Sequence, residues 1–556
     1  MKRIKQYRKF YAGLLLFTIV FGVALYAFAD YYRDVGTQLK LFNSLYKKLV
    51  INYVDQVDPN ALIEAGINGM LKTLDPYTVY LEDQDREGIQ TLTRGEYGGV
   101  GIQLGVRNDT LTVIAPMEEG PAARAGVQSG DRIIQIDTLR TTEMSLSRAA
   151  GIMRGKPGTV ITITILRPGI EERIPYVLQR ESIVLHDLAY SGMVGDGIAY
   201  LKLTSFSKNS ADEIEQALRQ LGVKNMKGLI LDLRDNPGGL LSSALKVADM
   251  FIDSGKELLS TRGHSENVNK VFYAKTEPLI PSDVPITVLV NHGSASASEI
   301  VTGILQDLDR AIIIGHETFG KGLVQSVLPL SSNASLKITT AKYYIPSGRL
   351  IQRQDYFKHD VVDVASNKDS VFFTQNKRRV YGGGGITPDL PTKNDTLPDP
   401  IRLIRAKNHF FQYAVEYHNR HADATWPFRI TPELQSQFMD YLNSRNFRYT
   451  TRSAALFRQF LASVDSTDFT RQDLENARDD IERYLDGENH WKARPAVTYW
   501  IRRLLTREFA YVYAGNKARI ESMMQYDEDI RTALQELNDQ DAYLHQLGYL
   551  PKGQEG

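Results

Sequence analysis

ITVLVNHGSASASEIVTGILQDL, residues 286–308, decides the fold. ITVLVN (286–291) is a short apolar β-rich run of the kind that forms a buried strand. EIVTGILQDL repeats its apolar residues with helical spacing at Ile300, Ile304 and Leu308. Between them GSASAS makes a strand-to-helix turn. Ser296-x-x-Glu299 fits a capping box, so the simplest reading of these serines is that they satisfy orphan amides at the helix start. The same turn also suits a nucleophile. Amides and the dipole at a helix start stabilise negative charge, and small neighbours such as Ala295 and Ala297 let a substrate backbone come close.

Working outward, strands and helices alternate. GIAYLKL precedes the helix ADEIEQALRQLG, and the strand KGLILDLR precedes the helix LLSSALKVADMFI. AIIIG (311–315) follows the helix begun at the serine turn. Such alternation predicts an α/β layer structure with much parallel pairing. SLKITTAKYYIPSG and GGGGITPDL close the region with strand and turn signals, around a polar, irregular excursion at 353–379.

A serine hydroxyl is a weak nucleophile at neutral pH and needs a base. His292 is nearest in sequence, but it precedes the turn at the strand end and no aspartate is placed to orient it. HETFGKGLVQ (316–325) offers Lys321 in a glycine-flanked loop directly after AIIIG. A lysine serves as general base when burial lowers its pKa enough to keep it neutral. A solvated loop lysine is the plainer alternative.

The rest of the chain has other textures. MKRIKQYRK carries five basic residues, and no charge then occurs before Asp30. The run of about 20 apolar residues is long enough to span a bilayer. With positive residues retained on the inside, everything after residue 30 is expected on the periplasmic side of the inner membrane. An uncleaved anchor is the expectation, and cleavage at Ala27-Phe28-Ala29 the alternative. Residues 31–92 read as helices. Residues 93–183 form a small β-rich region with one helix-like stretch, SLSRAAGIMRG. Residues 184–395 are the α/β core, and 396–556 are amphipathic helices suited to scaffolding, substrate handling or self-association.

Sixty-six basic residues balance sixty-six acidic ones, so nothing global points to nucleic acid. The absence of cysteine rules out disulfides, thiolate metal sites and a cysteine nucleophile.

GSASASE followed by TFGKG and VQ resembles the C-terminal processing peptidases, tail-specific serine proteases with a Ser–Lys dyad. In that family the nucleophile is the middle serine and the lysine follows 25 residues later; Lys321 stands 25 residues after Ser296. The resemblance implies Ser296 as nucleophile, Lys321 as base, Gln325 as the residue that orients the lysine, and Asp307 as a supporting acid. ILDLRDNPGGLL (230–241) resembles the family segment whose glycine amide completes an oxyanion hole with the amide of Ala297. Gly239 is the first choice there and Gly238 the second. A Pro-Gly-Gly turn at a strand end does expose unobstructed amides.

YGGVGIQL (97–104) resembles the carboxylate-binding loop of a PDZ domain, with Gly99, Val100, Gly101 and Ile102 in the loop positions. GPAARAGVQSGDRIIQIDT supports this, since PDZ domains of bacterial proteases share its Gly-Asp-x-Ile turn. Arg154 matches an arginine that couples PDZ position to the active site in some relatives. LDPYTVYL (74–81) also matches, and the resemblance covers residues 35–395.

The expectation is therefore a multidomain α/β protein: membrane segment, helical region, PDZ domain, protease core and C-terminal helical domain. It would be a serine endopeptidase cleaving exported proteins with exposed C-terminal tails, with no metal or organic cofactor and no nucleic-acid partner. The helical ends offer surfaces for a homodimer. The rivals are a non-catalytic PDZ adaptor or periplasmic chaperone, and an acyl-transfer enzyme on a related core.

Overall fold

The computed structural model describes residues 33–549 except 108, 332–333, 354–369, 394, 422, 450–451, 464–475, 477–478, 480–490 and 493. The apolar N-terminal run, most of the 353–379 excursion and, within the amphipathic C-terminal region, most of 470–485 lie outside the described residues. Among the described residues no helix is long and apolar enough to cross a membrane. The chain forms two compact units.

The first unit takes the described residues up to Glu82 together with the described part of 326–339. Its helices are 33–52 and Pro59–Leu71, the second capped by Asp58, whose side chain accepts from the Asn60 amide. The strand Val79–Glu82 pairs antiparallel with 334–337. LDPYTVYL makes a tight turn here. The Asp75 carboxylate accepts from the amides of Tyr77 (2.8 Å) and Thr78 (3.0 Å) and from the hydroxyls of Thr78 and Thr339.

The second unit holds everything else. Its β-rich part is a sheet ordered Ile102–Arg107 (β1), Thr110–Pro116, Arg132–Ile136, Val160–Leu166 and Arg173–Gln179, so β1 stands at an edge. Alternate residues Ile161, Ile163 and Ile165 face one small core with Val113, Ile133 and Ile136. The helix Leu146–Met153 (α1) buries Ala149 and Met153 against the same core, and Ser145 caps it.

The α/β part is a six-stranded sheet. Its order is Leu188–Met193 (β2), Ile198–Leu203 (β3), Gly228–Asp232 (β4), Ile286–Val290 (β5), Ile312–Gly315 (β6) and Leu390–Pro391 (β7). Only the β2–β3 pair is antiparallel. A parallel sheet needs cover on both faces, and the near-continuous apolar runs of β4 to β6 reflect that demand. One face buries Leu201, Leu231, Val288 and Ile313 under three helices, Ser210–Leu221, Leu241–Asp249 and Ala297–Asp307 (α2).

The opposite face shows where the C-terminal helices pack, which the sequence does not reveal. Tyr200, Ile230, Leu289, Ile312 and Ile314 pack against Ile530, Ala533, Leu537 and Tyr543. The helical segment after 396 is thus part of the core. It contains Asp399–Ala406 (α3), Pro495–Met524 (α4), Glu528–Asn538 (α5) and further helices, with its own cluster around Phe438, Leu505 and Phe509. Its C-terminal end closes the second face of the sheet. Tyr543 seals the join: its hydroxyl accepts from the Ile286 amide (2.9 Å) and donates to the Ile286 carbonyl (3.0 Å). The 353–379 segment also contains more order than its polarity suggests, since Val371–Phe373 pairs with Arg379–Tyr381.

Candidate active site

Ser296 stands between β5 and α2 as the N-cap of that helix, with φ 54° and ψ −111°. For a residue with a Cβ this is a sparsely populated conformation, costing on the order of 1–3 kcal/mol and held only by strong surrounding contacts. Those contacts also separate the three serines. Ser294 Oγ donates to the Leu233 carbonyl (2.8 Å), and Ser298 Oγ donates to that of Asn236 (2.9 Å). Both are fully buried, whereas Ser296 is only partly so.

Glu299 does much more than cap. Its buried carboxylate accepts from the Ser296 amide (2.8 Å), the Thr318 hydroxyl (2.5 Å), and the amides of Gly320 (2.7 Å) and Lys321 (2.9 Å). Burial pushes its carboxyl above the ordinary value, and those four donors oppose the shift. Tyr343 makes a second tie, donating to the Lys321 carbonyl at 2.5 Å and lying 3.3 Å from the Ser296 carbonyl. Burial, and then the negative charge of Glu299, hold the Tyr343 phenol well above its usual pKa. The serine turn and the lysine loop are thus joined through their backbones. The sequence singles out Ser296 and Lys321 as candidates but gives no sign of the linking roles of Glu299 and Tyr343. The capping-box spacing marked Glu299, but nothing local showed that 318–321 would return to it.

The Pro-Gly-Gly turn lies against the same elbow. A Cβ on Gly238 (φ 95°) would sit 2.6 Å from the Ala295 carbonyl oxygen, 2.8 Å from the Ala297 nitrogen and 2.9 Å from Ser296 Cβ. Gly238 donates its amide to Asn236 Oδ1 (2.9 Å), while Gly239 forms a parallel bridge with Phe206. Asn236 completes the turn by accepting from the Ala295 amide through its carbonyl (3.0 Å).

This turn is anchored from behind. Asp232 at the end of β4 receives Arg234 (3.0 and 2.8 Å), Lys202 (2.9 Å) and the Tyr200 hydroxyl (2.6 Å). Burial alone would raise the Asp232 pKa, but Arg234 and Lys202 hold it well below the usual carboxylate range. Arg234 also reaches Asp527 (2.9 Å) and Asp529 (2.7 Å) at the start of α5. The loop carrying the glycines is therefore tied to the C-terminal helices.

Other expected residues fall differently. Gln325 lies on the strand Leu323–Pro329, and its buried Nε2 has no acceptor among the described residues. Asp307 ends α2, eleven residues from Ser296 and thus about 16 Å along the helix axis. There it pairs with buried Arg349 (2.7 Å) and accepts from the Ser347 amide (2.9 Å). His292 is exposed, its ring centroid 6.1 Å from that of His316.

In the β-rich domain, Gly99, Val100 and Gly101 connect the strand Glu96–Gly99 to Ile102 at the start of edge strand β1. The loop is pinned by the Ala122 amide on the Val100 carbonyl (3.0 Å) and the Met117 amide on that of Gly101 (2.8 Å). Arg154 lies over the Tyr97 ring at 5.2 Å, just before this loop.

A small β domain of this kind beside an α/β core with a serine elbow defines a PDZ-bearing serine-type protease. Four family models match consecutive parts of the chain: the activating protease CtpB N-terminal domain at 28–85, a PDZ domain at 112–167, peptidase family S41 at 197–362, and the probable PDZ-protease C-terminal helical domain at 401–537. The chain is 40% identical over 347 residues to a carboxy-terminal-processing protease of Bartonella bacilliformis, covering 62% of this chain and 79% of that protein. It is 34% identical over 384 residues to a carboxyl-terminal-processing protease of Synechocystis, covering 65% and 88% respectively. It is 30% identical over 351 residues to the carboxy-terminal processing protease CtpB of Bacillus subtilis, covering 62% and 72%. The chain belongs to the carboxy-terminal-processing protease family, and it is a serine-type protease.

Proposed function

We propose that this protease works through a Ser296–Lys321 dyad on exported proteins that present a free C-terminal tail. One observation carries the reading: a single buried carboxylate, Glu299, accepts from the backbone amides of both residues. The two backbones are thereby held at one carboxylate, an arrangement that suits a nucleophile and its base.

In this account neutral Lys321 takes the Ser296 proton as Oγ attacks the scissile carbonyl. The Ala297 amide at the start of α2 holds the oxyanion, helped by the helix dipole. Gly239 supplies the second donor, since the Gly238 amide is committed to Asn236. Lys321 then protonates the leaving amine, and water hydrolyses the acyl-enzyme. Gln325 orients Lys321, while Asp307 supports α2 through Arg349 and takes no part in proton transfer.

The tail would enter at the PDZ domain. A peptide adds as a strand on the edge of β1, and the amides of the 99–102 loop hold its carboxylate. Arg154, stacked on Tyr97, would pass occupancy of that loop to the rest of the domain. The basic and then apolar N-terminus supports attachment to the inner membrane with the catalytic part on the periplasmic side.

Tail recognition is tested with an unfolded substrate carrying either a free or an amidated C-terminus. The free form is expected to be cleaved faster, with the difference in KM. Equal rates would remove the PDZ step from the account.

A further inference from the structure

A cavity of about 210 Å³ lies where the PDZ domain meets the C-terminal helices. Arg107 at the end of β1, Arg405 from α3, and Arg507 and Arg519 from α4 all line it, with Glu508 the only carboxylate among the described lining residues. Arg507 and Arg519 are twelve residues apart, about 18 Å along a straight helix. They share one small cavity because α4 breaks at Gly515, whose φ 76° and ψ −169° are not helical. The fold thus returns one arginine onto another.

These cations have little to pair with. Arg507 Nε lies 3.5 Å from Glu508, a long contact for an ion pair. Arg519 stacks over the Tyr511 ring at 4.8 Å. Arg107 Nη1 donates to its neighbour's carbonyl, but its buried Nε has no acceptor among the described residues. Ile114, Phe411 and Leu504 complete the wall and lower the local dielectric. Burial and adjacent Arg507 pull Arg519 below its ordinary pKa, so its charge is held at a cost. Guanidinium groups only donate hydrogen bonds, so the cavity converges donors with one acidic side chain to receive them.

We propose that this cavity binds a small, multiply charged oxyanion of the phosphate type, which bridges the PDZ domain to the helical domain. A tetrahedral oxyanion supplies the several acceptor oxygens that forked arginine donors match. Its walls come from β1 on one side and α3 and α4 on the other. Occupancy therefore ties the peptide-binding edge to the helices that cover the protease sheet. The inference does not depend on the dyad assignment.

The test is calorimetric titration of inorganic phosphate into the whole chain in low-chloride buffer, with thermal unfolding alongside. Wild type is expected to bind one phosphate saturably and to melt higher when loaded. Arg107→Gln and Arg519→Gln should each weaken binding by about tenfold or more, the loss of a charged hydrogen bond. Both should melt no lower than wild type in phosphate-free buffer, because the substitution relieves repulsion; a purely structural role for either arginine predicts a lower melting point instead. Arg405→Gln, at an exposed position, serves if the two half-buried variants do not fold, and it too should weaken binding. Arg502→Gln, exposed on α4 and absent from the cavity wall, should bind as wild type does. Absence of saturable phosphate binding overturns the proposal, as does equal affinity in Arg405→Gln and wild type.

Discussion

Glu299 Oε2 lies 2.8 Å from the amide nitrogen of Ser296 and 2.9 Å from that of Lys321, so one buried oxygen sets the spacing of the two loops. A carboxylate suits this position because every group facing it is a donor. Glu299→Gln replaces one acceptor oxygen with an NH2 group directed at those donors. Peptidase kcat is expected to fall by about 100-fold, the scale associated with an ångström of misplacement, with KM nearly unchanged. A variant with wild-type kcat would show that Glu299 only caps α2.

Gly238 presses on the same elbow from the other side. Gly238→Ala forces a Cβ against the Ala295 carbonyl at 2.6 Å and imposes φ 95° on a residue with a side chain. Backbone strain alone predicts about 1–3 kcal/mol of lost stability, with loss of activity beyond what unfolding explains. Urea denaturation together with active-site titration of the folded fraction checks both parts.

Tyr543 tests whether the C-terminal helices are integral to the protease sheet. Tyr543→Phe keeps the ring but leaves the buried Ile286 amide without its acceptor. The expected cost is about 1–3 kcal/mol, read from the urea midpoint. A change near zero would mean that the contact is incidental to stability.

Asp232 gives the protein an acid-sensitive joint. Its folded pKa is depressed, so the stability it contributes is complete above the unfolded value of about 4 and falls away as pH drops below it. Asp232→Asn leaves Arg234 and Lys202 without their shared partner, and the expected loss at neutral pH is about 3–5 kcal/mol. The gap between variant and wild type should narrow on acidification to pH 3. A gap independent of pH would contradict the ion-pair explanation.

Much of this was legible in the sequence because period and punctuation are local. The strand–turn–helix at 286–308, the Pro-Gly-Gly turn and the glycine-flanked lysine each announce themselves within one short continuous stretch. What could not be read depended on distant segments meeting. Glu299 looks like a capping residue until Thr318, Gly320 and Lys321 are seen returning to it. The helices after 396 carry no catalytic motif, and their amphipathic stripes do not say that Ile530 and Leu537 cover β4 and β5. Asp307 lies in the helix that follows the serine, but helical rise places it at the far end, beside Arg349. Nothing around Gly515 in the sequence marks it as the point where α4 breaks.

The choice of base is the central claim, and one comparison decides it: digestion of an unfolded protein substrate by wild type, Ser296→Ala, Lys321→Ala and His292→Ala, each checked for folding by circular dichroism. The Ser296 and Lys321 variants are expected to lose cleavage while His292→Ala retains it. Cleavage that survives in Lys321→Ala but is lost in His292→Ala would contradict that choice of base.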